Sequence, residues 1–224
     1  MNKNLAVADT LEPVVARGHQ AKRASIIGAA ADVFCREGFG GACIDEIAAQ
    51  ARVSRQTVYN NYREKETLFM AVVEEVLARA NAAVFALLAT FPENADNLEA
   101  DLAAFLVRLN RNCICNRDGR FLRRLVQTEG TRYPHLFESW RRQGPLKLTS
   151  ALAARLARLS ADGALDIEDF DVAARQFIAL GNADLHMSML LGDTPSEAEL
   201  ESAARNAVRT FLRAYGTDGT GAKA

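Results

Sequence analysis

Three observations in the amino-acid sequence predict an all-α protein of about nine helices. Apolar residues recur at spacings of three and four along most of the chain, which is the period of a helix with one buried face. No alternating run of Val, Ile or Thr bounded by hairpin dipeptides competes with that pattern. Hydrophobic residues make up 49% of the 224 positions, which is enough for a buried core. We therefore expect a folded helical protein with one large or two modest domains.

Residues 44–62, IDEIAAQARVSRQTVYNNY, predict a helix-turn-helix unit in which two short helices are joined by a tight turn. The apolar residues of the first helix share one face and are Ile44, Ile47, Ala48 and Ala51. Ser54 is a favourable N-cap, because its hydroxyl can accept a hydrogen bond from the backbone N–H of Gln56 or Thr57. A second helix should therefore begin at Arg55.

The second helix of this unit is short and mostly polar. Only Val58 and one side of Tyr62 are suited to burial, so the other side chains should face outward. Their amide, hydroxyl, phenol and guanidinium groups are types that hydrogen-bond base edges and phosphates. We predict DNA contacts from Arg52, Arg55, Gln56, Thr57, Tyr59, Asn60, Asn61 and Lys65. Within that set, we expect Arg55, Gln56 and Asn60 to read bases and Thr57, Tyr59 and Lys65 to hold phosphates.

Residues 44–68 resemble the TetR-type transcriptional regulators. The segments that carry the resemblance are IDEIA, VS, TVY and KETL, and the similarity extends upstream through residues 26–39, IIGAAADVFCREGF. From about residue 121, the segments RRLVQTEGTRYP, AARQF and LGNADL are similar to the AefR-like C-terminal region within that family. The resemblance implies a DNA-binding regulator with a small-molecule pocket in its larger C-terminal part. Because members of this family are typically repressors, it also implies repression.

Three positions depart from the usual pattern of that family. Cys43 stands where Ser or Thr normally caps the first helix of the unit, so we expect a weak cap there. Arg52 replaces the turn glycine, and a left-handed backbone at this arginine would cost about 1–2 kcal/mol. Glu64 stands where a short polar residue usually opens the next helix, and its charge is unfavourable beside DNA.

The chain is expected to contain four segments. These are a flexible arm at 1–18, a three-helix helix-turn-helix DNA-binding domain at 19–66, an effector-binding and dimerisation domain at 67–214 and a flexible tail at 215–224. The first helix should run over 20–37, with Gly38 as the glycine that ends it. The segment 17–65 carries eight basic and five acidic residues, which leaves a net −4 on the rest of a chain whose total is −1. This modest local excess of positive charge favours DNA binding at that end.

The larger domain is predicted to begin with a long helix at 65–88, which joins it to the DNA-binding domain. Later helices are expected after the loop at 90–97, at 121–128 after a break at 116–119, from 134, at 146–159, at 170–191 and at 196–213. Thr194-Pro195-Ser196-Glu197 is interpreted as a capping box with proline at the first helical position.

A small, largely apolar effector, uncharged or weakly acidic, is expected to bind between the helices at 65–88 and 170–191 and to release the DNA. The predicted ligand-binding residues are Phe105, Leu109, Cys113, Phe121, Leu125, Phe137, Trp140, Phe177 and Asn182. Cys113 or Asn182 would be the polar group of the pocket. Core packing is the alternative for every apolar member, because the same helical spacing serves both purposes.

A twofold homodimer is predicted through the helices at 170–191 and 196–213. One helix-turn-helix unit contacts only half of a palindromic site, and these helices carry more apolar surface than one subunit can readily cover. The paired units should then lie about one DNA turn apart, roughly 34–36 Å.

Two other functional classes are alternatives to an effector-responsive regulator. The sequence has neither Gly-x-Ser-x-Gly, His-Glu-x-x-His nor a glycine-rich phosphate loop, so we predict no catalytic residues and no cofactor. Cys113 and Cys115 lack neighbouring histidines, and we predict no metal site. The sparse cysteines and the absence of a signal-like or membrane-spanning segment favour a cytoplasmic location. A constitutive DNA-binding protein without an effector is the first alternative, and a small all-helical enzyme is the second.

Overall fold

The structure is a computed structural model that describes residues 8–93 and 96–217, with side chains described from residue 19 onward except at 135, 136 and 139. These residues form eleven α-helices, one π-helical turn and an isolated β-bridge between Leu165 and Gly216. The predicted all-α class is confirmed, with more helices than the expected nine. The chain divides into two compact units, Met1–Val76 and Leu77–Ala224, which we call the N-terminal and C-terminal units.

The N-terminal unit contains helices α1 (Ala8–Gly41), α2 (Ile44–Ala51) and α3 (Arg55–Tyr62), and α4 (Lys65–Leu88) begins within it. Helix α1 is interrupted at Gly38, the residue predicted to end it, whose positive φ of 71° suits glycine. The backbone at 8–18 is helical and continuous with the rest of α1, so the first helix begins earlier than the predicted residue 20. Residues with good helix propensity, such as Ala8, Leu11 and Ala16, outnumber the breakers in that segment.

The core of the N-terminal unit is apolar and aromatic. The rings of Phe34 and Phe69 meet edge to face at 5.1 Å, and those of Phe39 and Phe69 meet at 4.9 Å. Phe69 is completely buried, and burial of a side chain of this size contributes about 1.5–3 kcal/mol. Helix α1 and the start of α4 are thereby packed together, and Ile47 of α2 and Val58 of α3 are also buried in this unit.

The C-terminal unit is built from the remainder of α4, seven further α-helices and one π-helical turn. In chain order these are α5 (Leu98–Asn110), a π-helical turn (Arg111–Cys115), α6 (Arg117–Glu129), α7 (Pro134–Gln143), α8 (Pro145–Ala161), α9 (Phe170–Ala183), α10 (His186–Leu191) and α11 (Glu197–Tyr215). Prolines open α7 and α8, because a first-turn residue needs no backbone N–H for the helix ladder.

A chain of phenylalanine rings forms the centre of the core of the C-terminal unit. Phe91 packs edge to face on Phe105 at 4.9 Å, Phe105 lies 6.4 Å from Phe177, and Phe177 meets Phe211 edge to face at 5.0 Å. These rings come from the loop after α4 and from α5, α9 and α11. Contacts between them therefore tie together segments that are far apart in the sequence.

The predicted break at 116–119 is wrong, because the chain leaves helical geometry only at Asn116. The side chain of Asn116 accepts a hydrogen bond from the backbone N–H of Asp118 at 3.0 Å and caps α6. Helix α6 therefore begins at Arg117 instead of Phe121. An N-cap supplied by asparagine allows a new helix to start directly after the π-helical turn.

The continuous helix predicted at 170–191 is also wrong, because the chain turns at Asp184 and Leu185 between α9 and α10. Asp184 accepts a hydrogen bond from Asn206 of α11 at 2.8 Å, and Leu185 buries its side chain. These tertiary contacts stabilise the turn, and the low helix propensity of Gly181, Asn182 and Asp184 makes it easier for the helix to end there.

The capping box before α11 starts two residues later than predicted. Ser196, not Thr194, is the N-cap, with Glu199 as its reciprocal partner, so Pro195 precedes the helix. Glu197 would have to reach back to Thr194 in the predicted arrangement. Its carboxylate is instead paired with Arg111 from the π-helical turn.

Candidate nucleic-acid interface

The turn between α2 and α3 contains a left-handed residue at Arg52 and a side-chain cap at Ser54. Ser54 Oγ accepts a hydrogen bond from the backbone N–H of Thr57 at 3.1 Å, which confirms the predicted N-cap of α3. Arg52 adopts the left-handed conformation, with φ 56° and ψ 42°, at the position where the family usually has glycine. Cys43 precedes α2 and its side chain forms no capping hydrogen bond. The start of α2 is therefore weakly capped, whereas the start of α3 is well fixed.

Helix α3 is held to α1 by its buried side. Val58 and Tyr62 are buried, as predicted. The phenol oxygen of Tyr62 accepts a hydrogen bond from Arg23 Nε at 3.2 Å, and the Arg23 guanidinium lies 6.0 Å from the centre of the Tyr62 ring. Arg23 of α1 therefore anchors Tyr62, the last residue of α3.

The opposite side of α3 presents polar groups to solvent. Arg55, Gln56 and Asn60 are exposed, while Thr57, Tyr59 and Asn61 are partly buried. Gln56 Nε2 donates to Asn60 Oδ1 at 2.8 Å, and Asn61 Nδ2 donates to the carbonyl of Thr57 at 2.7 Å. The two residues expected to read bases beside Arg55 thus form one bonded pair of amides, one helical turn apart.

Arg55 lies between groups from two helices. Its Nη1 is 3.3 Å from Asp45 Oδ1 in α2, and its Cζ is 5.5 Å from the centre of the Tyr59 ring in α3. A hydrogen bond with Tyr59 and the negative charge of Asp45 raise the pKa of Arg55 above its usual value. Sequence analysis missed Asp45, because no local pattern links residues ten positions apart on different helices.

Lys65 opens α4 at the edge of this face and already has contacts within the chain. Lys65 Nζ donates to the carbonyl of Gly40 at 3.2 Å and lies 5.0 Å from the centre of the Phe39 ring. Contact with a phosphate would therefore compete with these interactions or use the remaining N–H donors of the ammonium group.

The predicted effector residues fall into two groups in the C-terminal unit. Five are buried and lie in α5, α6 or α9, namely Phe105, Leu109, Phe121, Leu125 and Phe177. Four are partly buried, namely Cys113, Phe137, Trp140 and Asn182. A cavity of about 380 Å³ is lined by a different set, Ala103, Ala104, Val107, Arg108, Arg111, Glu201 and Arg205. The predicted pocket thus coincides in part with the packed core.

Asn110 is a buried polar residue that sequence analysis did not single out. Its Nδ2 donates to the carbonyl of Gly181 at 2.8 Å and joins α5 to α9. A Cβ atom at Gly181 would lie 2.8 Å from Leu106 Cδ2, so a larger residue there would force the buried Leu106 side chain to shift. The sequence feature that could have identified Asn110 is its position as a single asparagine at the end of the apolar stretch of α5.

Cys113 lies in the π-helical turn and packs against both apolar clusters of the C-terminal unit. Burial raises the pKa of its thiol to about 11. Arg123 donates to the carbonyls of Cys113 and Ile114 at 3.3 and 2.9 Å. A neutral thiol in this setting suits packing better than redox chemistry.

Among the side chains that the structure describes, His, Cys, Asp and Glu form no group of three that could hold a metal ion. In the described ranges, none of the helices combines the length and apolar character needed to cross a membrane.

Both units of the chain match models of known protein families. Residues 26–72 match the model of the bacterial regulatory proteins of the tetR family. Residues 100–217, about half of the chain, match the C-terminal domain of AefR-like transcriptional repressors.

Individual relatives agree with these matches. The chain is 44% identical over 62 residues to the HTH-type transcriptional repressor SCO4008 of Streptomyces coelicolor, a match that spans 28% of this chain and 32% of that protein. A putative TetR-family regulator from Mesorhizobium loti has the same fold, with a TM-score of 0.76, 29% identity and coverage of 89% and 98% of the two chains. The flavonoid-responsive regulator FrrA is similar at a TM-score of 0.61 and 26% identity, covering 88% and 98%.

The match to the curated repressor thus spans about a third of that relative, whereas the structural neighbours cover nearly the whole fold. The capped recognition helix, the larger helical unit and both family matches lead to one assignment. The chain belongs to the TetR family of bacterial regulatory proteins and carries the C-terminal domain of an AefR-like transcriptional repressor.

Proposed function

We propose that the protein is a sequence-specific DNA-binding repressor of transcription. The observation that carries this proposal is helix α3, which is capped by Ser54 and anchored through Val58 and Tyr62. It displays Arg55 and the bonded amides of Gln56 and Asn60 on its free side. A short helix with this arrangement suits entry into the major groove, where arginine and amide side chains distinguish base pairs.

The experiment that tests this proposal is selection of bound duplexes from a random DNA pool by the full-length protein. We expect an enriched palindrome whose half-sites are centred about one helical turn apart. Arg55→Ala serves as the control and should lose preference at one base pair of each half-site. Uniform recovery of unrelated sequences would overturn sequence-specific binding.

We propose further that two copies of the chain form a homodimer through α10 and α11. Helix α10 exposes three large apolar side chains, Met187, Leu190 and Leu191, at 60%, 56% and 69% of their surface. The apolar face of α11 is instead buried within the same subunit, so the apolar surface expected of that helix is already covered. The contribution of α11 to the contact therefore comes from its outward polar residues.

We propose that an apolar effector binds in the C-terminal unit and weakens DNA binding. The name of the similar regulator FrrA describes it as flavonoid-responsive, which supports an aromatic effector class. Helix α4 offers a route for coupling, because it begins in the N-terminal unit and continues without a break into the C-terminal unit. An effector must distinguish two states by about 1–3 kcal/mol to change DNA affinity 5- to 150-fold.

Titration of flavonoids with and without the selected operator tests this coupling. DNA should weaken effector binding by the same factor by which the effector weakens DNA binding. Equal effector affinity in both titrations would overturn the coupling, even if the ligand binds. A constitutive DNA-binding protein would show specific DNA binding and no ligand-induced rise in melting temperature, which distinguishes the alternative function.

A further inference from the structure

We infer that Asp45 is a specificity-determining residue, whose carboxylate holds the Arg55 guanidinium so that the protein prefers guanine at the base pair that Arg55 meets. This inference rests on the proposed DNA-binding function. It assigns a role to an acidic residue on a face where negative charge opposes DNA binding. Asp45 would act through Arg55 as a positioning residue.

The geometry places Arg55 under two restraints from different helices. Its Nη1 lies 3.3 Å from Oδ1 and 3.4 Å from Oδ2 of Asp45, which belongs to the first turn of α2. The ring of Tyr59, one turn further along α3, has its centre 5.5 Å from Arg55 Cζ, within the range of a cation–π contact. The Asp45 and Arg55 side chains are 60% and 61% exposed, so the restrained group stays open to a ligand.

The chemistry of the guanidinium makes this arrangement useful for reading a base. The Nε–Nη2 edge, which carries two parallel N–H donors, lies on the opposite side of the guanidinium from Nη1. Two parallel donors match O6 and N7 of guanine in the major groove. A contact from Asp45 to Nη1 therefore leaves the base-reading edge of Arg55 directed away from the carboxylate.

The alternative partner for an unrestrained Arg55 is a phosphate, which carries no sequence information. The Asp45 carboxylate repels phosphate oxygens and therefore disfavours that contact. Restraint also reduces the side-chain entropy that Arg55 loses on binding, since a free arginine side chain populates many rotamers. Both effects favour discrimination between bases over affinity for DNA in general.

Glu46 offers a matched control for Asp45. It is the next residue in the first turn of α2, carries the same charge and is exposed, but its partner is Arg36 of α1. Asp45→Asn and Glu46→Gln each remove one negative charge near the same helix end. Their effects on the helix dipole and on non-specific attraction to DNA should therefore be similar.

The test compares the wild-type protein with Asp45→Asn, Glu46→Gln and Asp45→Glu. The first readout is the ratio of dissociation constants for the selected operator and for one in which guanine is replaced at the base pair whose preference Arg55→Ala loses. The second readout is ¹⁵N relaxation of Arg55 Nε in the free protein, which needs no DNA. Thermal unfolding establishes that each variant is folded.

We expect Asp45→Asn to lower the preference for guanine by about fivefold or more, the lower end of what one bidentate base contact contributes. The same variant should increase the mobility of Arg55 Nε, whereas Glu46→Gln should change neither readout. Asp45→Glu keeps a carboxylate at this position. Compared with Asp45→Asn, it should therefore recover part of the guanine preference and part of the restraint on Arg55 Nε.

Equal base preference in Asp45→Asn and Glu46→Gln would overturn the inference, as would an Arg55 Nε equally mobile in the wild type and in Asp45→Asn. Failure of the proposed function gives a different result. In that case the wild-type protein would enrich no sequence at all, and the inference would fall with the proposal.

Discussion

Arg79 of α4 and Asp118 of α6 form a two-point ion pair, with Nε to Oδ2 at 2.9 Å and Nη2 to Oδ1 at 3.0 Å. Asp118 is the more covered partner, with 18% of its side chain exposed against 42% for Arg79. Parallel N–H donors facing both carboxylate oxygens give a stronger and more directional pair than a single contact. The pair joins the C-terminal part of α4 to the first turn of α6.

The first prediction concerns the strength of this pair. Asp118→Asn should lower the free energy of unfolding by about 1 kcal/mol, and added salt should reduce the difference from wild type. Chemical denaturation at low and high salt measures both effects. Glu93 provides the control, because it pairs with Arg155 through one contact and is 74% exposed, so Glu93→Gln should have a smaller effect. Equal losses in the two variants would contradict the prediction.

The second prediction separates backbone strain from DNA contact at Arg52. Arg52→Gly should raise the free energy of unfolding by about 0.5–1 kcal/mol, because relief of the left-handed strain exceeds the added entropy of the unfolded chain. Arg52→Ala keeps that strain and should leave stability nearly unchanged. If the guanidinium contacts DNA, both variants should lose the same DNA affinity. Melting curves and operator titrations measure the two quantities, and a loss of stability in Arg52→Gly would contradict the strain argument.

The third prediction distinguishes base contacts from phosphate contacts. Gln56→Ala should cost about 1–3 kcal/mol and relax specificity at one base pair, whereas Lys65→Ala should weaken binding to all sequences and reduce the salt slope by about 1. Because Gln56 and Asn60 are bonded to each other, their losses should not add in the double variant. Operator affinity that is untouched by both Gln56→Ala and Lys65→Ala would show that these assignments are wrong.

The fourth prediction concerns the exposed surface of α10. Leu190→Asp should raise the dissociation constant of the dimer at least tenfold, because an unpaired charge in an apolar contact costs more than about 1.4 kcal/mol. Light scattering at micromolar concentration measures the change. Leu146→Asp is the matched control, since Leu146 is also exposed but lies on α8. A monomeric wild-type protein would contradict the dimer itself.

The fifth prediction concerns the cysteines. Burial raises the pKa of Cys113 from 9.0 to about 11, so its thiol stays neutral at pH 8 and should react slowly with iodoacetamide. Exposed Cys43 should be alkylated first, and Cys43→Ser should remove that fast reaction. Since the folded pKa is raised, the contribution of Cys113 to stability is complete below pH 9 and is lost as the pH rises through 11. Mass spectrometry of the labelled protein measures the rate of alkylation at each cysteine. Equal rates for Cys43 and Cys113 would contradict the prediction.

Local signals determined a large part of this protein. The cap at Ser54, the buried pair Val58 and Tyr62 and the glycine at position 38 each follow from the properties of a few neighbouring residues. Helical periodicity predicted the all-α fold, and the end of α4 at Leu88 was predicted correctly. These features depend on contacts within one or two helical turns, which sequence spacing describes well.

Contacts between distant residues decided the rest. Asp184, at the turn between α9 and α10, accepts a hydrogen bond from Asn206 of α11, and Glu197 pairs with Arg111 from the π-helical turn. Asp45 meets Arg55 only because the turn at Arg52 brings α2 and α3 together. Sequence periodicity identifies which face of a helix is buried, but not which helix covers it. The three-dimensional fold alone sets those pairs, because each depends on how separate helices pack against one another.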